Sequence, residues 1–215
     1  LGYGTRPKHT IQLLFDNLNT SDYLEIGRMC MTDSMPKNSE SQMLKAAIKW
    51  IKQNTDIKVL FTWADGMLGK CGYVYQASNF MYAGKSNSDI YLFDGYKIHP
   101  RQTRDLFKKD DNDTRISIRP TIQQQKDYGI DRYKGHQFKY IYILGNHKQK
   151  KEIVSHALFD TAPYPKEKDL TWKKYNLLNK KWETSSMPPY KTDFSQTINK
   201  KTLIELMQKK YNEKK

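Results

Sequence analysis

WADGMLGKCGYVYQASNF, residues 63–80, decides how this chain is read. An apolar run ends at Asp65, glycines at 66, 69 and 72 break the chain into a loop, and YVYQA then has helical character up to Ser78-Asn79. Glycine-spaced loops after a strand let backbone approach a ligand, and the carboxyl end of a strand beside a helix start is where crevices form in α/β sheets. Asp65 is therefore a candidate for acting on a ligand, and Tyr75 a candidate on the helix behind it. Asp-Gly is also an ordinary turn dipeptide, and Tyr75 is equally suited to packing.

Working outward, IKVLFTWA (57–64) has the continuous apolar character of a strand buried on both faces. FMYAGKS (80–86) resumes as a strand, and IYLFDGYKIHPR (90–101) reads as a hairpin turning at Asp94-Gly95. Upstream, YLEIGRMCM (23–31) reads as a strand with Leu24, Ile26, Arg28 and Cys30 on one face. Ser39 and Gln42 form an S-x-x-Q capping box, and Met43, Leu44, Ala47, Ile48 and Ile51 recur at helical spacing behind it. The alternation of strands and helices predicts an α/β (α+β) class, with a mixed central sheet flanked by helices, a parallel central pair and an antiparallel flank. Farther on, FKYIYIL (138–144) is a strand and HKQKKEIVSHALF (147–159) a helix, while PYPKEK (163–168) has the composition of a boundary. Two domains are expected: a core over 1–166 and a basic, aromatic C-terminal extension over 167–215 that ends in a helix, TLIELMQKKYNEKK (202–215).

The 215 residues carry 37 Lys+Arg against 23 Asp+Glu, a net charge of +14, with 13% aromatics. Residues 1–100 hold 11 cations and 9 anions; residues 101–215 hold 26 and 14 and so carry +12. Cations mixed with Tyr, Trp and Phe suit phosphates and stacked bases, although a lysine-rich solvated surface has the same composition. No apolar run approaches the roughly 20 residues of a membrane span, and two cysteines without zinc-ligand spacing fit a reducing compartment. A cytoplasmic protein without membrane contact is expected. The first residue, Leu1, is not Met, which leaves an upstream strand or helix open.

A strand running into a helix start presents unpaired N–H groups to polar ligands. Here that junction supplies Asn38, Ser39 and Ser41, with Arg28 on the strand before it. Asn38, Ser39 and Gly69 are candidate cofactor-binding positions. Lys70, His99, Arg101 and Arg104 are candidate nucleic-acid contacts.

VYQASNFMYAG (74–84) resembles the GNAT acyltransferase pattern L-Y-x-x-x-G-F-x-x-x-G, with Tyr75 in the place of the tyrosine that faces the reaction centre. The loop MPKNSES (35–41) has none of the glycines that pattern uses to approach pyrophosphate, which argues against acetyl-CoA. LEIGRMCM, PKNSES and WADGMLGKCGYVYQASNF together resemble the Mom family of phage proteins more closely, with DGYKIHPR, KYIYIL and PYPK also similar. That resemblance spans about residues 1–166 and implies a GNAT-like catalytic domain that attaches a small amide-bearing group to adenine N6 in double-stranded DNA. The modification would protect the DNA from restriction in the host cytoplasm. The resemblance places an active-site arginine at Arg28, a serine at Ser41, an aspartate at Asp65 and the tyrosine at Tyr75. It further implies a small-molecule donor of unknown identity and a transition metal, with ligands partly on an N-terminal His-Tyr stretch not found here. His99 is a candidate substitute, and the metal requirement stays open, as does a homodimer. An adenine drawn from the duplex could stack on Tyr73, Tyr82 or Trp63.

Two alternatives belong to other classes: a conventional GNAT N-acyltransferase acting on RNA, protein or a small amine, and a non-catalytic nucleic-acid-binding module on the same scaffold. All the DNA-directed readings share one consequence. Binding to duplex DNA, followed by fluorescence anisotropy, is expected to weaken steeply as salt rises, because lysine contacts release counterions; a flat response removes the polyanion argument.

Overall fold

The computed structural model describes residues 13–27, 29, 31–32, 34–191 and 199–213. Its strands are β1 (Tyr23–Glu25), β2 (Val59–Asp65), β3 (Met81–Phe93), β4 (Tyr96–Ile98), β5 (Ile130–Ile143), β6 (Trp172–Asn176) and β7 (Lys181–Ser185). Its helices are α1 (Ser39–Asn54), α2 (Tyr73–Ala77), α3 (Arg104–Phe107), α4 (Ile122–Tyr128), α5 (His147–Ser155) and α6 (Lys200–Asn212). Strand order is β1-β2-β5-β3-β4, with β6 paired to β5 and β7 to β6. The fold is thus a mixed α+β sheet with helices, as the sequence indicated. The β1–β2 pair, joined through α1, is parallel, while the β2–β5, β3–β4, β5–β6 and β6–β7 pairs are antiparallel. The parallel pair stands at an edge of the sheet rather than at its centre, a correction to the sequence reading.

The chain forms two compact units: residues 1–86 with 136–170, and residues 87–135 with 171–215. In the first unit the double-sided burial of β2 follows from strand geometry, since successive side chains point to opposite faces. Val59 and Phe61 join Leu14, Phe15, Tyr23, Ile141 and Ile153 in one core cluster. Leu60 and Ala64 join Ile26, Leu44, Ile48, Phe80, Phe138 and Tyr140 in the other. The second cluster takes the apolar stripe of α1, which accounts for the spacing of Leu44, Ile48 and Ile51.

The second unit is built on Tyr91, Phe93, Ile98, Phe107, Ile118 and Ile130, closed by Leu203 and Met207 of α6. Tyr128 of α4 and Tyr211 of α6 stack with centroids 4.8 Å apart. The Asp94-Gly95 hairpin forms as expected, with φ of +48° and +81° as its tight turn requires. Residues 172–185 are an antiparallel hairpin paired to β5 through Tyr133↔Lys174 and Lys134↔Lys173. The basic, aromatic segment expected as an extension therefore contributes two strands.

Several local expectations are corrected. The first strand is short, ending at Glu25, although the Ile26 N–H still bonds to the Phe61 carbonyl at 2.9 Å. FMYAGKS and IYLF belong to one continuous strand of 13 residues. The capping box at Ser39 does not form: Asn38 precedes the helix in a left-handed conformation, φ +70°, without a side-chain cap. Ser39 is the first helical residue and donates its hydroxyl to the Pro36 carbonyl at 2.6 Å. The PYPKEK segment lies in the first unit, which runs to Leu170, with Pro165 buried.

Two glycines of the 63–80 segment are enforced by close approach. A Cβ on Gly72, whose φ is +83°, would lie 2.5 Å from the Tyr140 ring and 3.0 Å from the Ala64 Cβ. One on Gly66 would lie 2.6 Å from the His136 carbonyl oxygen and 2.8 Å from the Phe138 ring. Gly72→Ala and Gly66→Ala are each expected to destabilise the fold by about 1–3 kcal/mol, the usual effect of overpacking, read as a lower urea midpoint.

Candidate functional site

α2 has only five residues, fewer than an isolated helix needs, so its position must come from side-chain anchoring. Gln76 is the main anchor. Its amide nitrogen donates toward the Tyr140 hydroxyl at 2.9 Å, the Pro165 carbonyl at 3.0 Å and the Cys71 carbonyl at 3.2 Å. The Tyr140 hydroxyl in turn donates to the Cys71 carbonyl. On the same segment the Tyr164 hydroxyl donates to the Phe80 carbonyl at 2.8 Å. One amide thus ties α2 to β5 and to the PYPK segment. Burial pushes the Tyr140 phenol well above its ordinary pKa, so it remains a protonated donor. Burial likewise raises the Cys71 thiol, with Glu167 and Asp169 adding to the effect, which disfavours the reactive thiolate.

Tyr75 is half-buried between the rings of Phe80, at 5.6 Å, and Tyr140, at 5.5 Å. Thr62 Oγ1 lies 3.2 Å from the Tyr75 hydroxyl and 2.9 Å from the Ile26 carbonyl oxygen. Threonine has one hydroxyl proton and a carbonyl can only accept, so that proton goes to Ile26. When both contacts are made, the phenol donates to Thr62. Tyr75 is therefore held by a hydroxyl chain that leads to the end of β1.

Asp65 ends β2, and its Oδ1 accepts the Met67 N–H at 3.0 Å, capping the turn Gly66–Leu68. The carboxylate is fixed at the strand end by the turn it caps. Ser41 lies in the first turn of α1 and donates its hydroxyl to the Asn38 carbonyl at 2.8 Å, leaving lone pairs to accept from a ligand. It lines a cleft of 520 Å³ with Met35, Asn38, Glu40, Tyr73 and Ala77, where the start of α1 faces α2. That volume is in the usual range for small-molecule sites. Asn38 achieves here, without glycine, the left-handed turn that brings backbone to a helix start. Asn79, in the place of a glycine in the acyltransferase pattern, also takes a positive φ, +59°.

The cleft gathers some of the residues singled out from the sequence and not others. Ser41 faces the cleft, as does Asn38, whereas Ser39 is buried behind it. Asp65 and Tyr75 are not among the described residues lining it, and Arg28 lies outside the described residues. Gly69 takes φ +70° and closes the turn after Asp65, and Lys70 follows it, exposed.

His99, Arg101 and Arg104 belong to the second unit. His99 Nδ1 accepts the Arg101 N–H at 3.1 Å; loss of water, followed by the cations Arg101 and Lys97, lowers its pKa below the ordinary 6.5. Arg101 is exposed. Arg104 is committed to structure, with Nε donating to the Arg115 carbonyl at 2.7 Å, one terminal nitrogen to Asp105 and the other to the Asp113 carbonyl. Among the described residues no three His, Cys, Asp or Glu side chains stand close enough to hold a metal ion, so no step below is routed through one. No helix among them is long and apolar enough to cross a membrane.

Residues not singled out from sequence include Thr62, Gln76, Tyr140 and Lys166. Lys166 Nζ sits 5.7 Å from the Tyr73 ring and 3.3 Å from Gln76 Oε1. The sequence carried no local signal for Gln76, whose acceptors Tyr140 and Pro165 lie 64 and 89 residues away.

A mixed α+β protein with a cleft between two helices and a carboxylate at the adjoining strand end is the class these features define. The chain belongs to the Mom protein family, whose model matches residues 1–166. It is 30% identical over 166 residues to the methylcarbamoylase Mom of Escherichia phage Mu, covering 77% of this chain. That match spans 65% of the phage protein, about two thirds of its length.

Gln76→Ala removes the link between α2 and the 163–166 segment. Trypsin is expected to cut after Lys166 several-fold faster in this variant than in the parent, measured by mass spectrometry of the peptides; equal rates would show that the amide does not hold the segment.

Proposed function

We propose that this protein is a DNA-modifying transferase that places a methylcarbamoyl group on the exocyclic amine of adenine. The observation that carries the reading is its membership of the Mom family over the residues that build the α1–α2 cleft and the Asp65 turn. The name of the phage Mu relative supplies the group transferred.

Adenine N6 is a weak nucleophile because its lone pair is conjugated into the ring, so an enzyme must orient the amine and take its proton as the bond forms. The start of α1, with Ser41 and Asn38, would hold the polar end of the donor through its N–H groups and the Ser41 lone pairs. Asp65 would accept the N6 proton, and Tyr75 would turn its hydroxyl proton from Thr62 to the leaving group, with Thr62 holding the phenol in place until then. Arg28, by its place after β1, would bind an anionic part of the donor or the DNA. A C–N bond forms between N6 and the donor carbonyl carbon and the bond from that carbon to the leaving group breaks. Asp65 holds the N6 proton, the leaving group departs with the Tyr75 proton, and proton exchange with solvent then returns both side chains to their starting state. Acting in the host cytoplasm, the modification would shield DNA from restriction.

DNA from cells expressing the protein, digested to nucleosides and analysed by mass spectrometry, is expected to contain deoxyadenosine heavier by a methylcarbamoyl group in place of one hydrogen. Asp65→Asn keeps an acceptor for the Met67 N–H, and Tyr75→Phe keeps the ring. Each is expected to lower the modified fraction in proportion to a rate loss of about 10²–10⁴-fold. Unmodified adenine with the parent protein under several growth conditions, or full modification with both variants, would overturn the reading.

A further inference from the structure

A second cleft in the first unit, of 510 Å³, runs between Tyr82 and Phe138 on the sheet and the segment Pro163–Asp169. Its walls are mainly apolar and aromatic, and Lys85, Lys166 and Lys168 line it. Resting on the DNA-modification reading, we infer that this cleft receives the nucleotide to be modified: its base lies against Tyr82, which the buried Phe138 backs, and the flanking phosphates meet the three lysines.

Four observations support the assignment. The partly exposed Tyr82 ring, held from behind by the rings of buried Phe138 at 6.2 Å and Tyr140 at 5.8 Å, offers a fixed face on which an unstacked base can stack. The opposite wall is fixed in advance, since Gln76 holds the Pro165 carbonyl at 3.0 Å and Phe80 holds the Tyr164 hydroxyl at 2.8 Å. Preorganisation of this kind lowers the cost of binding. Lys85 and Lys168 are exposed and make no ion pair among the described residues. The one acidic residue lining the cleft, Asp169, is occupied by the Lys166 N–H at 2.8 Å and holds the local turn. An apolar ligand would have no use for three lysines, and a phosphate alone none for the rings; a nucleotide uses both.

The position of the cleft fits the reaction. Lys166 lines it, and its ammonium lies 5.7 Å from the ring of Tyr73, which lines the Ser41 cleft, so one cation–π contact links the two clefts. The turn after Asp65 packs on Phe138, where even a Cβ on Gly66 would come within 2.8 Å of the ring. The carboxylate that would take the N6 proton thus belongs to a turn resting on a wall of the base cleft. A duplex adenine must leave its stack to enter, so single-stranded or mismatched DNA is the better ligand.

The test uses the full chain and a short single-stranded oligonucleotide containing one adenine. Ultraviolet cross-linking followed by peptide mapping is expected to place the adduct on Tyr82 or within residues 163–169. Tyr82→Leu is expected to weaken binding about tenfold, the scale of one lost base stack, and Tyr82→Phe to restore it. The double variant K85A/K168A, altered only at exposed positions, is expected to bind more weakly and with a shallower salt dependence. An oligonucleotide abasic at the adenine should lose its sensitivity to Tyr82→Leu. Adducts mapping only elsewhere, or Tyr82→Leu and K85A/K168A binding like the parent, would overturn the inference even if cellular DNA is modified. Free adenosine monophosphate binding as tightly as the oligonucleotide would overturn the assignment to DNA. Adducts in the cleft without any DNA modification would keep the inference and remove the enzymatic reading.

Discussion

A single carboxamide organises the first unit. Gln76 stands on a helix too short to hold itself and reaches toward a phenol on β5 and two carbonyls, one in the loop before the helix and one in the segment after α5. Buried polar groups without partners are costly, and the amide's two protons can serve the Tyr140 hydroxyl and the Pro165 carbonyl while that hydroxyl serves the Cys71 carbonyl, which restricts where α2, β5 and residues 163–166 can lie. The contact between Gly72 and the Tyr140 ring adds a steric limit of the same sense. One cleft is lined by Tyr73, Val74 and Ala77 of α2 and the other by Pro163–Lys166, so both depend on this arrangement for their shape.

The polar chemistry around α2 is correspondingly restricted. Cys71 is buried with its thiol pushed up, which makes it packing and not a nucleophile. Tyr140 is a committed donor, whereas Tyr75 sits at the end of a chain running through Thr62 to the Ile26 carbonyl. Of the two phenols, only Tyr75 has its proton held by a group that can itself exchange one. Trp63, read as a stacking candidate, packs toward the first core cluster, with Phe61 at 6.5 Å and Lys139 over its ring. Tyr73 and Tyr82 are the aromatic residues of that trio that line clefts.

The second unit uses its charge differently from what its composition suggests. Arg132 pairs with Asp89 and lies over the rings of Tyr91, Tyr175 and Trp182, at 5.8, 5.8 and 5.0 Å. Lys174 pairs with Asp131 and lies over Tyr133. Arg104 is spent on backbone carbonyls and its neighbour Asp105. Several cations that looked available for phosphate are therefore fixing a β-hairpin or a loop, and the β6–β7 hairpin they fix lies beyond the residues matched by the family model.

The sequence by itself determined the pieces whose cause is local. α1 is visible in the spacing of Leu44, Ile48 and Ile51; the double burial of β2 in an unbroken apolar run; the hairpin in Asp94-Gly95; and the family in three motifs around the site. What only the tertiary structure decided depends on groups far apart in the chain. Asn38, not Ser39, became the residue before α1: the Ser39 N–H closes a turn onto the Pro36 carbonyl with Asn38 in the left-handed region. β6 and β7 read as a tail because their partners are each other and β5, and lysines on strands break the apolar alternation that marks one. Gln76 looked like one more polar helix residue, since its acceptors Tyr140 and Pro165 lie 64 and 89 residues away. Periodicity records what each residue does to its neighbours in sequence; a cleft is made by residues that meet only after the chain has folded.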